Sequence, residues 1–212
     1  MDGNKRWSKN KNISKYDSYK MGADKLIQIS KYIFENYNIN YVSAFALSTH
    51  NFKRGSSLIN IIKKIILDFL DTNQEISNYK FRVIFKGNLN FLPKKDIENI
   101  KRFEHNNLKS KKVLVIYLNY SGREDIYNAS KNSNKLNNIN HNNFQNFLSS
   151  GGIPDPDMLI RTGGYKRISD FMLYQLSFTE LFFSNKLWPN IKNTDIRKYI
   201  NQFNLIDRKF GN

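Results

Sequence analysis

Apolar residues recur along this chain with two distinct periods. Leu26, Ile29, Ile33 and Tyr37 stand three and four residues apart, which predicts a helix over Asp17 to Tyr37. Leu58, Ile62, Ile65 and Phe69 repeat the spacing behind Ser56 and Ser57, either of which suits a cap. Pro93 fits a first helical turn ahead of Ile97, Ile100 and Phe103, and Thr194 a cap ahead of Ile196, Ile200 and Phe203. Between these stripes lie apolar runs of strand length: Tyr41 to Leu47, Phe81 to Phe85, Val113 to Leu118 and Met158 to Ile160. Strands alternating with helices predict an α/β fold, a mainly parallel sheet flanked by helices. Its ligands belong at the carboxyl ends of the strands. The Asn-dense stretch Asn132 to Asn146 reads as a loop. No repeat or flexible linker divides the chain, and 212 residues suit one domain over 1–212.

Composition narrows this picture. At 40% hydrophobic and 25% charged residues the chain is neither a disordered tail nor a membrane bundle. Leu58 to Leu70, its richest apolar stretch, is too short for a bilayer and is broken by Lys63 and Lys64. Polar residues follow Met1 at once, so no secretory signal is expected and the expected location is cytoplasmic. The absence of cysteine excludes disulfides and thiolate metal sites. A net charge of +16 attracts phosphates of any kind and raises nucleic acid as a partner. Yet no helix-turn-helix, zinc-finger or aromatic RNA-binding pattern accompanies it, and an abundance of Lys, Asn, Ile, Tyr and Phe is what an AT-rich gene encodes. No nucleic-acid partner is expected.

The segments just beyond the predicted strands carry the chemistry. Leu47 is followed by Ser48-Thr49-His50-Asn51-Phe52-Lys53-Arg54, and Leu118 by Asn119-Tyr120-Ser121-Gly122-Arg123. Ile160 is followed by Arg161-Thr162-Gly163-Gly164-Tyr165-Lys166-Arg167-Ile168-Ser169. Guanidinium forks match phosphate oxygens, hydroxyls add donors, and glycine lets backbone N–H groups approach closely. A phosphorylated small substrate follows.

These blocks also carry a resemblance. Met1 to Trp7 resembles the MDGNGRW signature of cis-prenyltransferases, the family of undecaprenyl and dehydrodolichyl diphosphate synthases. Ser48 to Arg54 is similar to STENW-x-R, Leu118 to Ile126 to LNYGGRxEI, and Pro154 to Phe171 to PDLLIRTGGExRISNF. Gln175 to Pro189 resembles QxAYxELYFxxxLWP, and Arg208 to Gly211 the terminal RRFG. The likeness runs the length of the chain. It implies condensation of isopentenyl diphosphate onto an allylic diphosphate such as farnesyl diphosphate, giving a Z-polyprenyl diphosphate, with Mg2+ as cofactor. It further implies a homodimer, an apolar tunnel that the helix around Leu58 to Leu70 would line, and peripheral membrane contact through the product.

Residue by residue, the resemblance makes Asp2 the holder of Mg2+ on the allylic diphosphate, which Gly3, Asn4, Lys5 and Arg6 would wrap. Trp7 and Phe52 would line the hydrocarbon path. Lys15, Tyr19, Ser48, Thr49, His50 and Arg54 would complete substrate binding. Asn51 would act at the condensing carbons, by positioning or by helping the proton leave. Arg161, Arg167, Ile168 and Ser169 would clamp isopentenyl diphosphate, and Glu180 would hold metal near it. Asp155 and Asp157, which mimic a metal pair, are assigned to structure.

The chain departs from the family pattern at Lys5, Lys15, Tyr19, His50, Phe52, Leu58, Ser121, Tyr165 and Lys166. Most of these changes border the expected allylic site. Two other readings compete: a non-catalytic cis-prenyltransferase-like partner subunit and a basic nucleic-acid-binding protein. Retention of Asp2, Arg6, Arg161, Arg167, Ser169 and Glu180 speaks against the first. A trans-prenyltransferase would carry DDxxD, which is absent. Family members place an apolar strand directly before MDGN, so a short upstream strand is expected, and without it Asp2 is expected to fray.

Overall fold

Six apolar residues in a row, without polar alternation, suit a strand covered on both faces. Val113–Leu118 is such a run and forms the centre of a three-stranded parallel sheet. In chain order the elements are α1 (Asn4–Lys11), α2 (Lys15–Asn36), β1 (Tyr41–Phe45), α3 (Thr49–Phe52), α4 (Ser56–Thr72), β2 (Arg82–Gly87), α5 (Lys94–His105) and β3 (Val113–Leu118). Then come α6 (Gly122–Ser133), α7 (His141–Phe144), β4 (Met158–Arg161), β5 (Glu180–Phe183) and α8 (Asn193–Phe203). The computed structural model describes residues 1–52, 55–72, 80–105, 110–133 and 141–209. Within this α/β fold they gather into two compact units.

One unit comprises Phe34–Pro154 and Asp170–Tyr174. Its sheet has the order β1-β3-β2, with Tyr41 and Arg82 both level with Val113. Parallel neighbours need crossover connections, and α3, α4 and α5 supply them. Leu114, Val115 and Tyr117 are fully buried, so Leu114→Ala would cost about 2–5 kcal/mol in lost transfer energy and cavity. The α5 stripe is as predicted, with Ile100 and Phe103 buried, and Pro93 stands just before the helix, its carbonyl accepting the Ile97 N–H at 3.1 Å. On α4, Ile62, Ile66 and Leu70 are buried while Leu58, Ile59, Ile61, Ile65 and Phe69 stay partly exposed.

The other unit comprises Met1–Ile33, Asp155–Ser169 and Gln175–Asn212. β4 and β5 pair in parallel, Met158 level with Glu180 and Arg161 level with Phe183. Leu26 and Ile29 of α2 are buried, and Gly22 lets the helix come close to its neighbours. A Cβ there would stand 2.5 Å from Asn4 Oδ1, while the Gly22 carbonyl accepts the Trp188 indole N–H at 2.8 Å.

Several boundaries differ from the sequence expectation for local reasons. α2 starts at Lys15 rather than Asp17 because Ser14 caps it, its Oγ accepting the Asp17 N–H at 3.0 Å. The helix after β3 was not expected, yet Ser121 Oγ accepts the Glu124 N–H at 3.2 Å, the Ser-x-x-Glu pattern of a helix start. The stretch Asn132 to Asn146 is not loop throughout: it holds the end of α6 and all of α7, while 134–140 lie outside the described residues. α1 lacks an apolar stripe, burying only Trp7 and Ser8, and β5 has four residues. Neither gives a periodic signal.

Candidate active site

In the unit that contains Met1–Ile33, the chemistry converges on Asp2. Its N–H donates to Thr162 Oγ1 at 2.9 Å, and its carbonyl accepts from the same hydroxyl at 3.0 Å and from the Trp188 N–H at 3.0 Å. Three bonds thus hold the backbone of a residue that the sequence alone leads one to expect at a fraying end. The carboxylate, about a third exposed, accepts from Arg161 Nη2 at 3.1 Å and stands 3.7 Å from Arg6 Nη2.

Arg161 ends β4, and the turn after it folds back around its guanidinium. Arg161 Nη1 donates to Ser169 Oγ at 2.6 Å and to the Arg167 carbonyl. Arg167 Nε reaches the same hydroxyl at 3.3 Å. Ser169 holds its place with φ 54°, a conformation worth about 1–3 kcal/mol of strain in a residue other than glycine. Gly163, with φ 89°, is required twice over. A Cβ would stand 2.6 Å from Arg6 Nη2 and 3.1 Å from Asp2 Cβ, and its carbonyl accepts from Arg6 Nη2 at 2.6 Å. The Tyr165 ring lies under three cations, with Arg167, Arg6 and Arg161 Cζ at 4.3, 5.1 and 5.9 Å from its centroid. Three guanidiniums gather at one ring and only two of them pair with the Asp2 carboxylate, a surplus of positive charge. Such a cluster is built to receive a multivalent anion.

The whole chain matches known proteins. Residues 1–211 fit a family model described as "Putative undecaprenyl diphosphate synthase". An isoprenyl transferase of Rickettsia typhi is 36% identical, the match covering 100% of this chain and 95% of that protein. The chain belongs to the undecaprenyl diphosphate synthase family. Its α/β fold matches a crystal structure of lavandulyl diphosphate synthase from Lavandula x intermedia in complex with dimethylallyl diphosphate, with a TM-score of 0.88, 26% identity and coverage of 100% of this chain and 95% of that one. It also matches a "probable undecaprenyl diphosphate synthase" from Campylobacter jejuni, at a TM-score of 0.80 and 28% identity over 91% and 92% of the two chains.

Against the family pattern, the structure joins what the sequence separated. Asp2 and Arg6, expected at one diphosphate, share ion pairs and hydrogen bonds with the Arg161 turn, expected at the other. Gly3 caps α1 at φ 112°, and Asn4, Lys5 and Arg6 open that helix, whose first N–H groups have no intrahelical acceptor. Lys5 and Lys15 are exposed, and Tyr19 and Ile168 half-buried. Trp7 is a core residue whose indole N–H donates to Asn190 Oδ1 at 2.8 Å. Glu180 is not brought to the Asp2 cluster within its unit: it begins β5, level with Met158, three residues and about 10 Å along the strands from the level of Arg161. Asp157 pairs with Arg208 at 2.5 Å, in keeping with a structural role, and Asp155 stands apart with its carboxyl pushed up by burial.

The unit built on Phe34–Pro154 carries the Ser48 block. The turn after β1 is pinned by the Thr49 N–H on the Tyr120 carbonyl at 3.1 Å, and α3 follows. Asn51 Oδ1 accepts from the Ser48 N–H at 3.1 Å and the Ser48 hydroxyl at 2.9 Å. Because a backbone N–H can only donate, the amide oxygen must face the turn, leaving the Asn51 NH2 as the group free to act. Phe52 packs edge-on against Phe91 at 5.4 Å. His50 is exposed, 3.8 Å from Asp170 Oδ2. Asp170 takes the Ser121 hydroxyl at 2.5 Å and the Arg123 N–H at 3.1 Å, placing a carboxylate at the α6 N-terminus. Arg54 and the tail residues Phe210 and Gly211 lie outside the described residues. Thr162 and Asp170 are not singled out by the sequence, and Tyr165 only as a departure from the family pattern, although all three sit inside the recognised block.

No group of three or more His, Asp or Glu that could hold a metal occurs among the described residues. That is compatible with Mg2+, which commonly takes one or two carboxylates and completes its octahedron with substrate phosphates and water. Asp2, partly exposed and beside an anion-receiving cluster, fits that requirement.

Proposed function

We propose that this chain condenses isopentenyl diphosphate with an allylic diphosphate to give a Z-polyprenyl diphosphate. The observation that carries the reading is the Asp2, Arg6, Arg161, Arg167 and Ser169 cluster, in a chain whose full length matches the family. In the reaction the allylic carbon–oxygen bond breaks, releasing diphosphate. The terminal methylene of isopentenyl diphosphate bonds to the freed carbon, and a proton leaves the neighbouring methylene. Arg161 and Arg167, both on Ser169, hold one diphosphate by fork geometry. The unpaired N–H groups at the start of α1 and the Arg6 guanidinium receive the other. Asp2 would hold Mg2+, which when bound neutralises the departing diphosphate. Asn51, its oxygen committed to Ser48, orients a substrate through its NH2 rather than taking the proton.

The partly exposed apolar side of α4 supports a hydrocarbon tunnel. Burial contributes about 0.8 kcal/mol per CH2, so a growing chain would be retained between additions. The reading extends to a homodimer working in the cytoplasm, touching membranes through its product, and the basic surface suits contact with anionic lipid. Among the described residues no helix is long and apolar enough to cross a membrane. The test is incubation with labelled isopentenyl diphosphate and farnesyl diphosphate, with Mg2+ or with EDTA, followed by product sizing and sedimentation. Z-configured products that vanish with EDTA are expected. No incorporation with any common allylic primer would refute the reading.

A further inference from the structure

We infer that Tyr165 is a positioning residue that holds three guanidiniums together, Arg161 and Arg167 at one diphosphate and Arg6 reaching the other, its ring serving in place of a counter-charge. The inference rests on the reading of the cluster as a diphosphate clamp and names a residue that makes it work.

Three like charges converging on a small space repel one another, and something must hold them before the anion arrives. Asp2 answers two of them, Arg161 and Arg6. Arg167 has no carboxylate in its ion-pair environment among the described residues: its guanidinium meets Ser169 Oγ at 3.3 Å and the Tyr165 ring at 4.3 Å. Arg6 and Arg161 stand over the same ring at 5.1 and 5.9 Å. All three distances lie within the roughly 6 Å at which a ring quadrupole attracts a cation. The ring does what a carboxylate at this place would not. A carboxylate would take up guanidinium N–H donors and subtract a charge, whereas a π face attracts the cations and leaves those donors to phosphate oxygens.

Tyr165 is free to take this place because of its setting. It follows Gly163 and Gly164, with φ 89° and 84°, and is 43% exposed, more than packing alone demands of a large ring. Arg161 Nε is buried with no acceptor among the described residues, so the protein does not saturate the clamp by itself.

Calorimetric titration with inorganic pyrophosphate in EDTA, on wild type, Tyr165→Phe and Tyr165→Leu, tests this without turnover. A cation over a ring at an exposed site is worth about two- to fivefold, and three that share one ring need not add. Tyr165→Leu is expected to bind pyrophosphate about five- to thirtyfold more weakly, and Tyr165→Phe within about twofold of wild type. Thermal unfolding midpoints of all three should agree within a few degrees, since the side chain is largely exposed. In the Mg2+ assay Tyr165→Leu should raise KM for isopentenyl diphosphate more than it lowers kcat. Equal pyrophosphate affinity in Tyr165→Leu and wild type would overturn the inference. So would an equal loss in Tyr165→Phe and Tyr165→Leu, which would assign the effect to the hydroxyl. A wild type that fails to bind pyrophosphate would instead overturn the diphosphate reading beneath it.

Discussion

Replacing Asp2 by alanine separates two jobs that one residue performs. Its backbone bonds to Thr162 and Trp188 survive the change, so the turn that places it stays in position. What is lost is the carboxylate, 3.1 Å from Arg161 and 3.7 Å from Arg6. With Asp2 about a third exposed and Arg6 more so, solvent screening limits the two pairs together to about 1–2 kcal/mol. At about 2–4 °C per kcal/mol for a chain of this size, the unfolding midpoint falls by only a few degrees. Anion binding responds in opposite directions with and without metal. In EDTA the carboxylate is a built-in competitor for the guanidiniums. Removing it strengthens pyrophosphate binding about five- to thirtyfold, the same 1–2 kcal/mol expressed as affinity. Under the proposed function the carboxylate would hold Mg2+, so in its presence turnover by Asp2→Ala is expected to fall by about a hundredfold or more. Titration calorimetry in EDTA and a labelled-substrate assay with Mg2+ measure the two arms. Weaker pyrophosphate binding by Asp2→Ala in EDTA would refute the competitor argument, and retained turnover would refute the metal role.

Two further outcomes follow from local geometry. Gly163→Ala puts a Cβ 2.6 Å from Arg6 Nη2 at a left-handed φ of 89°, so a cost of about 1–3 kcal/mol in chemical denaturation and a clear loss of pyrophosphate affinity are expected, and wild-type values for both would contradict the crowding. Glu104, whose Oε1 accepts the Phe85 N–H at 2.6 Å, has its carboxyl pushed up from 4.5 by burial, against the lowering effect of that bond and of nearby lysines and Arg82. A raised carboxyl favours the folded state when protonated, so wild type loses stability as pH rises from about 4.5 through the elevated value. Glu104→Gln keeps the acceptor without the charge and should be the more stable protein at pH 7, by urea denaturation, with the gap closing below pH 4.5; a gap that did not change with pH would exclude the charge as its cause.

The sequence made the repeating elements readable because their signals are periodic. The Leu26, Ile29 stripe and the unbroken Val113 to Leu118 run each state a burial pattern, and the fold obeys both. α1 escaped because it buries almost nothing, and β5 because four residues cannot show a period. The α6 start is legible in Ser121 and Glu124, a capping pattern that apolar periodicity passes over. The site residues were legible as motif members, yet their partners were not. Nothing in the string says that Thr162 holds Asp2 at both backbone atoms, or that three arginines share the Tyr165 ring. Such contacts depend on positions brought together by the fold, to which local periodicity is blind. The same holds for Asn51, whose oxygen accepts from Ser48 in a contact that no periodicity announces.

The bond from Asp2 to Thr162 spans 160 residues, and that separation governs when the site can come into being during synthesis. At roughly 5–20 residues per second a ribosome needs about 8–30 s to pass from one partner to the other. Throughout that interval Asp2 has neither its anchor on Thr162 nor its ion pair with Arg161. The other unit is different: apart from Asp170–Tyr174 it is a single stretch, Phe34–Pro154, and its whole three-stranded sheet is synthesised well before Arg161. Contacts between distant positions also form slowly in refolding. The nascent chain should therefore acquire protease resistance in β1 to β3 first, with pyrophosphate binding arriving last.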